Sequence, residues 1–153
     1  SYTGIPLLYS GDEIGTLNWW DYKKDETIAH DSRWLHRAPM DWEKAGNRHD
    51  MGTVEGILFS SIREMIRVRK ENPIFASNIS SIPIDTGNKA VFAFHREDKM
   101  LVLANFSEER QVVNCNAVNW FGLPWELHDL IQGKTVPLWD NIVLGPYEYL
   151  WLA

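Results

Sequence analysis

Residues 5–9, Ile-Pro-Leu-Leu-Tyr, make a short and nearly continuous apolar run, bounded by Gly4 and Gly11 and followed at once by the carboxylates Asp12 and Glu13. A half-solvated strand alternates polar and apolar residues. An unbroken run suits a strand buried on both faces, as in parallel sheets wrapped by helices. Pro6 cannot donate a ladder hydrogen bond, so it belongs at the first strand residue or beside a gap in pairing. The run therefore reads as one member of a sheet whose other strands lie outside this sequence. Acidic residues at the carboxyl end of a parallel strand stand where barrel and doubly wound enzymes place their chemistry. Asp12 and Glu13 are adjacent, however, and in extended chain they point to opposite sides. They do not make the opposed pair that acid/base work needs, and bracing of the loop is the preferred reading.

Residues 16–50 lack a regular period and are crowded with Trp, His, Asp and Arg, including Trp19, Trp20, Asp31, Arg33, His36, Arg37 and Trp42. Loops of this length are usually functional or disordered, and the tryptophans argue for order. Thr53 then offers an N-cap, and Leu58, Phe59, Ile62, Met65, Ile66 and Arg69 follow helical spacing until Asn72-Pro73 stops the run. Strand, long loop and helix make one βα unit of a parallel barrel, with the loop at the carboxyl end of the strand. Arg63, Arg67, Arg69 and Lys70 alternate with Glu64 and Glu71, the pattern of a solvated helix face.

From residue 79 onward the pattern changes to short β-branched and aromatic runs separated by turn signals. Strands are expected over 79–84, 90–95, 100–105, 111–116, 126–130, 134–136, 142–144 and 148–152, with turns at 85–88 and 96–99. Their spacing suggests an antiparallel β-sandwich closing on Trp151. The expected domains are residues 1–75, the end of an α/β barrel, and residues 76–153, an all-β sandwich.

Composition narrows the function classes. At 153 residues, with 44% hydrophobic content and eight Trp, the chain is globular in composition. Its net charge of −6 and the absence of a basic stripe argue against a nucleic-acid partner. No apolar run approaches the roughly 20 residues of a membrane span, and no signal-like segment opens the chain, so no membrane partner and a cytoplasmic location are expected. The chain starts at Ser1 and not Met, which suggests a processed or truncated product. The lone Cys115 has no intrachain partner and reads as a small buried apolar residue. His30, His36 and His49 share the loop with Asp25, Asp31 and Asp50, yet none has a tight ligand spacing, so neither metal nor cofactor is expected. Ser32, His36 and Asp50 can be assembled into a triad on paper, but no nucleophile elbow supports it. Aromatic rings beside carboxylates and guanidinium groups also suit sugars, since rings stack on pyranose faces while Asp, Arg and His satisfy hydroxyls. For Trp19, Trp20 and Trp42 a small apolar core beneath the loop is equally open. Arg33, two residues from Asp31, brings a fork of donors suited to a bidentate carboxylate contact that could close a pocket floor; an exposed loop arginine with no special role is the other reading.

Gly4-Ile-Pro-Leu-Leu-Tyr-Ser-Gly-Asp-Glu-Ile-Gly resembles the eighth barrel strand of the alpha-amylase superfamily, glycoside hydrolase family 13. Gly15-Thr-Leu-Asn18, Asp31-Ser-Arg-Trp34 with His36-Arg37, Met65-Ile-Arg-Val-Arg69 with Asn72-Pro73, Asn105-Phe-Ser-Glu108 and residues 128–136 narrow the likeness to amylosucrases. The resemblance runs the length of the chain. It implies the last βα unit of a (β/α)8 TIM barrel followed by a C-terminal β-sandwich, within an enzyme acting on sucrose and an alpha-glucan. In such retaining enzymes an aspartate takes the glucosyl unit, a glutamate acid assists the departure of fructose, and a glucan hydroxyl is the acceptor. By the resemblance those catalytic residues lie on earlier strands, so no catalytic residue is expected here and the chain alone is expected to be inactive. Arg33 matches a family arginine that pairs with an aspartate from near the barrel start and binds substrate at the base of the glucose pocket. His36-Arg37 matches without a role attached, and residues 19–28 depart from the acidic run of the family. A sucrose hydrolase, a trehalose synthase or a non-catalytic sugar-binding or interaction β-sandwich module are the competing readings.

Overall fold

The structure, a computed structural model, describes residues 2–119 and 122–153. It divides into two compact units, one formed by the residues up to Pro6 together with Arg67–Ala153, the other by Leu7–Ile66.

The β unit follows the turn signals of the sequence. The described residues form eight strands: β1 (Ser81–Ile84), β2 (Val91–Arg96), β3 (Met100–Asn105), β4 (Gln111–Val113), β5 (Glu126–His128), β6 (Thr135–Pro137), β7 (Ile142–Leu144) and β8 (Tyr149–Leu152). All pairings are antiparallel, in a four-stranded sheet of order β1-β2-β3-β8 and two ribbons, β4-β7 and β5-β6. Alternate side chains of the sheet, Ile84, Val91, Ala93, Leu101, Leu103, Leu150 and Leu152, share a buried cluster with Val113, Leu127, Val136, Ile142 and Leu144 of the ribbons. The opposite face of the sheet is covered as well, with Phe75 packed against Trp151 at 4.7 Å between ring centroids. Burial on both faces explains why β3, Met-Leu-Val-Leu-Ala-Asn, reads as a continuous apolar run. The β2–β3 hairpin turns at Glu97 and Asp98, both at positive φ, with Lys99 N–H donating to the Arg96 carbonyl at 3.0 Å.

Buried polar side chains are spent on backbone groups. Arg96, at the end of β2 and without exposed surface, donates from Nε to the Ile74 carbonyl (2.9 Å) and from Nη2 to those of Ala76 (2.8 Å) and Ile79 (3.0 Å), holding residues 74–79 on the sheet. Asn105 donates to the Glu109 and Gly145 carbonyls, both at 2.7 Å, and its oxygen accepts from Ser107 N–H at 2.9 Å. The Asp129 carboxylate accepts backbone N–H bonds from Ile131 (3.2 Å), Gln132 (3.2 Å) and Trp151 (3.1 Å), joining the β5–β6 turn to β8.

In the other unit, residues 20–50 are a series of short helical turns: Trp20–Lys24, Ser32–His36, helix α1 (Trp42–Gly46) and Asn47–His49. Helix α2 (Val54–Glu71) follows, the part from Arg67 counted with the β unit, and Thr53 Oγ1 accepts from Gly56 N–H at 3.1 Å as its N-terminal cap. Gly56 lies against the preceding loop so closely that a Cβ there would stand 1.9 Å from the Asp50 carbonyl oxygen. Among the described residues no helix is long and apolar enough to cross a membrane.

Three expectations are corrected. Residues 5–9 are not a buried strand: they have no ladder partner among the described residues, and Ile5, Leu7, Leu8 and Tyr9 are 89, 88, 51 and 48% exposed. A strand of that composition is buried only when neighbours pair with it on both sides. Cys115 is half-buried in a 3-10 turn, not a core position, because β4 stops at Val113 where the Asn114 side chain accepts from Asn116 N–H. Arg69 leaves the solvated face expected of it: it is half-buried, donates to the Gly4 carbonyl at 3.2 Å and lies over the Phe75 ring.

Two substitutions test this packing. Asp129→Ala strips the acceptor from three N–H groups and should cost about 3 kcal/mol in urea unfolding, with Asp129→Asn recovering part of the loss. An unchanged midpoint would mean that the carboxylate does not hold the turn. Gly56→Ala should destabilise by about 3 kcal/mol, because its Cβ meets backbone that cannot swing aside; a loss no greater than at an exposed helical glycine would contradict the close approach.

Candidate functional site

The loop after Gly11 is closed by its own backbone. Ile14 and Thr16 N–H both donate to the Gly11 carbonyl (3.1 and 2.9 Å), and Gly11, at φ 99°, donates its N–H to Glu13 Oε2 at 2.8 Å. A Cβ at Gly11 would stand 2.6 Å from Thr16 Oγ1, so the residue is glycine for both space and conformation. Glu13 thus braces the loop. Asp12 is exposed, and among the described residues its carboxylate accepts no hydrogen bond.

Asp31 organises the next turn. Its Oδ1 accepts from Arg33 N–H at 3.0 Å, a capping contact, and its carboxylate also receives the guanidinium: Arg33 Nε at 2.8 and 3.0 Å, Nη2 at 2.8 Å. The Asp31 side chain is 19% exposed and that of Arg33 74%. The Arg33 side-chain bond, then its backbone N–H, and the nearby Arg37 charge hold the Asp31 carboxyl down at about 2, and the same contact raises Arg33. Arg37 lies over the Trp34 ring at 5.6 Å. Two adjacent contacts tie this turn to residues 18–19: Trp19 N–H donates to the Leu35 carbonyl at 2.8 Å, and His36 Nδ1 lies 3.0 Å from Asn18 Oδ1.

These elements enclose a cleft of about 500 Å³ bordered by Tyr9, Asp12, Asn18, Arg33, His36 and Arg37. It offers guanidinium donors, a carboxylate, an amide, an imidazole and hydroxyls around one space, a set matched to the many donors and acceptors of a polyhydroxy ligand.

The structure brings Arg33, His36 and Arg37 together at this cleft, which Asp12 also borders. It does not bring the tryptophans there. Trp20 and Trp42 are 61 and 79% exposed, so neither belongs to a small core; Lys23 lies over the Trp20 ring at 5.3 Å, and Trp42 borders a separate cavity of about 330 Å³ with Met40 and Arg48. The paper triad is not assembled, since His36 is bonded to Asn18 and Asp50 Oδ1 accepts from Gly52 N–H at 2.8 Å. Among the described residues no three His, Cys, Asp or Glu side chains converge as for a metal ion. Asn18, which the sequence marks only as part of Gly15-Thr-Leu-Asn18, gains a place at the site from the fold, which sets its amide beside His36.

The Asp31 contact has a measurable pH signature. Its folded value lies below the ordinary carboxylate range near 4, so the contact and the stability it adds are present above that range and are lost as pH falls through about 2. Carboxyl-carbon NMR should give a midpoint of about 2 for Asp31, moving up toward 4 in Arg33→Ala. A midpoint near 4 in the wild type would show that the pair does not form in solution.

No protein-family model matches the chain. It is similar to Alpha-amylase 2 of Dictyoglomus thermophilum, with 23% identity over 146 residues, which is 95% of this chain and 22% of that protein. Among solved structures, a trehalulose synthase mutant in complex with Tris superposes with a TM-score of 0.67 at 21% identity, over 98% of this chain and 36% of that one. A protein of Thermus thermophilus gives 0.65 at 22% identity, over 99% and 28%. AmyP in complex with maltose gives 0.53 at 18%, over 65% and 20%. The chain spans about a fifth of the length of that amylase. At these identities the likeness is one of fold, carried along nearly the whole chain by the two larger superpositions.

Proposed function

We propose that this chain is the C-terminal part of a sucrose-using retaining glucosyltransferase of the amylosucrase type, within the alpha-amylase superfamily. In this reading residues 1–75 contribute the last βα unit of the barrel and its pocket loop, and residues 76–153 the terminal β-sandwich. The superfamily part of this reading is supported by the extent of the likeness, which runs through both the loop and the β portion at 95% coverage for Alpha-amylase 2 and 98% for the trehalulose synthase; the amylosucrase type rests on the motif residues 31–37 of the chain. Structures of AmyP with maltose and with maltotriose support an alpha-glucan as the class of acceptor.

The chemistry would run by double displacement. An aspartate outside this chain attacks the anomeric carbon of the glucosyl unit, fructose departs with a proton from a glutamate, and a glucan hydroxyl then displaces the aspartate, returning its proton to that glutamate. Residues of this chain bind and orient. Arg33, fixed by Asp31, presents its remaining N–H groups to hydroxyls of the glucosyl unit. The likeness to a trehalulose synthase favours one rival, a disaccharide-forming enzyme that releases no glucan.

The full-length protein given sucrose and a short alpha-glucan should release fructose and lengthen the glucan. Trehalulose as main product would establish the rival, and no turnover of sucrose would overturn both. Arg33→Ala in that protein should lower kcat/KM for sucrose about tenfold or more while the protein stays folded, since it removes an exposed contact and no core area. Wild-type kinetics would remove Arg33 from the site.

A further inference from the structure

The imidazole of His36 is exposed, yet its position is set on two sides. Its Nδ1 lies 3.0 Å from Asn18 Oδ1, and the backbone next to it is fixed by the bond from Trp19 N–H to the Leu35 carbonyl. An amide oxygen can only accept, so Nδ1 is the protonated nitrogen and, in the neutral ring, Nε2 is the acceptor. Among the described residues Nε2 has no hydrogen-bond partner. An exposed contact of this kind stabilises a fold little, because ordering both side chains offsets the gain.

The surroundings indicate what such a ring would do. Arg33 and Arg37 both border the cleft and only donate; Arg33 is held by Asp31 and Arg37 by the Trp34 ring. A sugar hydroxyl that accepts from a guanidinium still carries a proton to give away. Among the described residues, and apart from the hydroxyls, the side-chain acceptors that border the cleft and are not already engaged are the Asp12 carboxylate and His36 Nε2.

We infer that His36 is a sugar-binding residue of the cleft: Asn18 fixes its tautomer, and Nε2 accepts a hydrogen bond from a hydroxyl of the bound sugar. The inference rests on the reading of the cleft as a sugar pocket and adds to it a specificity residue and its positioning partner, Asn18.

The test uses the full-length protein with sucrose as the probe. Nitrogen-15 NMR of the histidine ring should show the Nδ1–H tautomer in the free protein and a shift of Nε2 when sucrose is added. His36→Asn keeps an amide near the place of Nδ1 and removes the outer nitrogen; its KM should rise about tenfold with kcat within about twofold, the loss of one hydrogen bond. His36→Gln carries its amide out to the place of Nε2 and should stay within about threefold of wild type. Asn18→Ala should raise KM and give a mixture of tautomers. An Nε2–H ring, an Nε2 signal indifferent to sucrose, or equal kinetic losses in the Asn and Gln variants would overturn the inference. A wild type that binds no sucrose overturns the sugar-pocket reading and this assignment together, whereas sucrose binding that His36→Asn leaves intact overturns the assignment alone.

Discussion

A carboxylate with no exposed surface holds the β unit in register. Asp129 sits where β5 ends, and its two oxygens accept from the N–H groups of Ile131, Gln132 and Trp151. Two of those donors belong to the β5–β6 turn and the third to β8, so one side chain fixes a ribbon to the four-stranded sheet. Burying a carboxylate is costly unless hydrogen bonds replace its water, and backbone donors do so without the entropy loss of another side chain. Asn105 and Arg96 apply the same device elsewhere, Asn105 to the loops at 107–109 and 145, Arg96 to residues 74–79. Apolar burial makes the unit compact; these three residues fasten its turns and connecting segments to the strands.

The loop unit is built otherwise. Of its large side chains only Ile14 and Tyr22 are buried among the described residues, so apolar burial contributes little to its shape. Order comes from short-range closures: the Gly11 loop, the Asp31 cap, the Asp41 cap on Lys44 N–H, and the Thr53 cap of α2. A unit held this way opens locally at low cost. It is also where the cleft lies, with polar groups aimed by turns and not by packing.

That contrast explains which elements could be read from sequence. Strands β2 and β3 were legible because apolar runs and the turn at 96–99 are local signals, and α2 because Thr53 opens it and Asn72-Pro73 ends it. Arg96 was not: a charged residue at a hairpin end reads as turn, and only the return of residues 74–79 over the sheet supplies its carbonyl partners. Helix α1 was missed although Asp41 marks its start, because five residues show no period. At the cleft, Asp31 and Arg33 were legible as a pair through their spacing. Asn18 and His36, eighteen positions apart, share no pattern in the chain.

The Asp31–Arg33 geometry bears on how the arginine can serve a pocket. Paired through Nε and Nη2, the guanidinium keeps Nη1 without a partner among the described residues. A planar fork can take one carboxylate along the Nε edge and a second acceptor, a carboxylate or a sugar hydroxyl, along the edge between the two terminal nitrogens. The local pair and a distant one are therefore not alternatives. Asp31 sets the plane of the group beforehand, so that a second partner meets an oriented donor and does not have to supply the entropy of ordering a long exposed side chain. Where Arg33 binds substrate as proposed, Asp31 would contribute to recognition without touching ligand, and the separation of two residues between it and Arg33 makes the orientation a property of this loop itself.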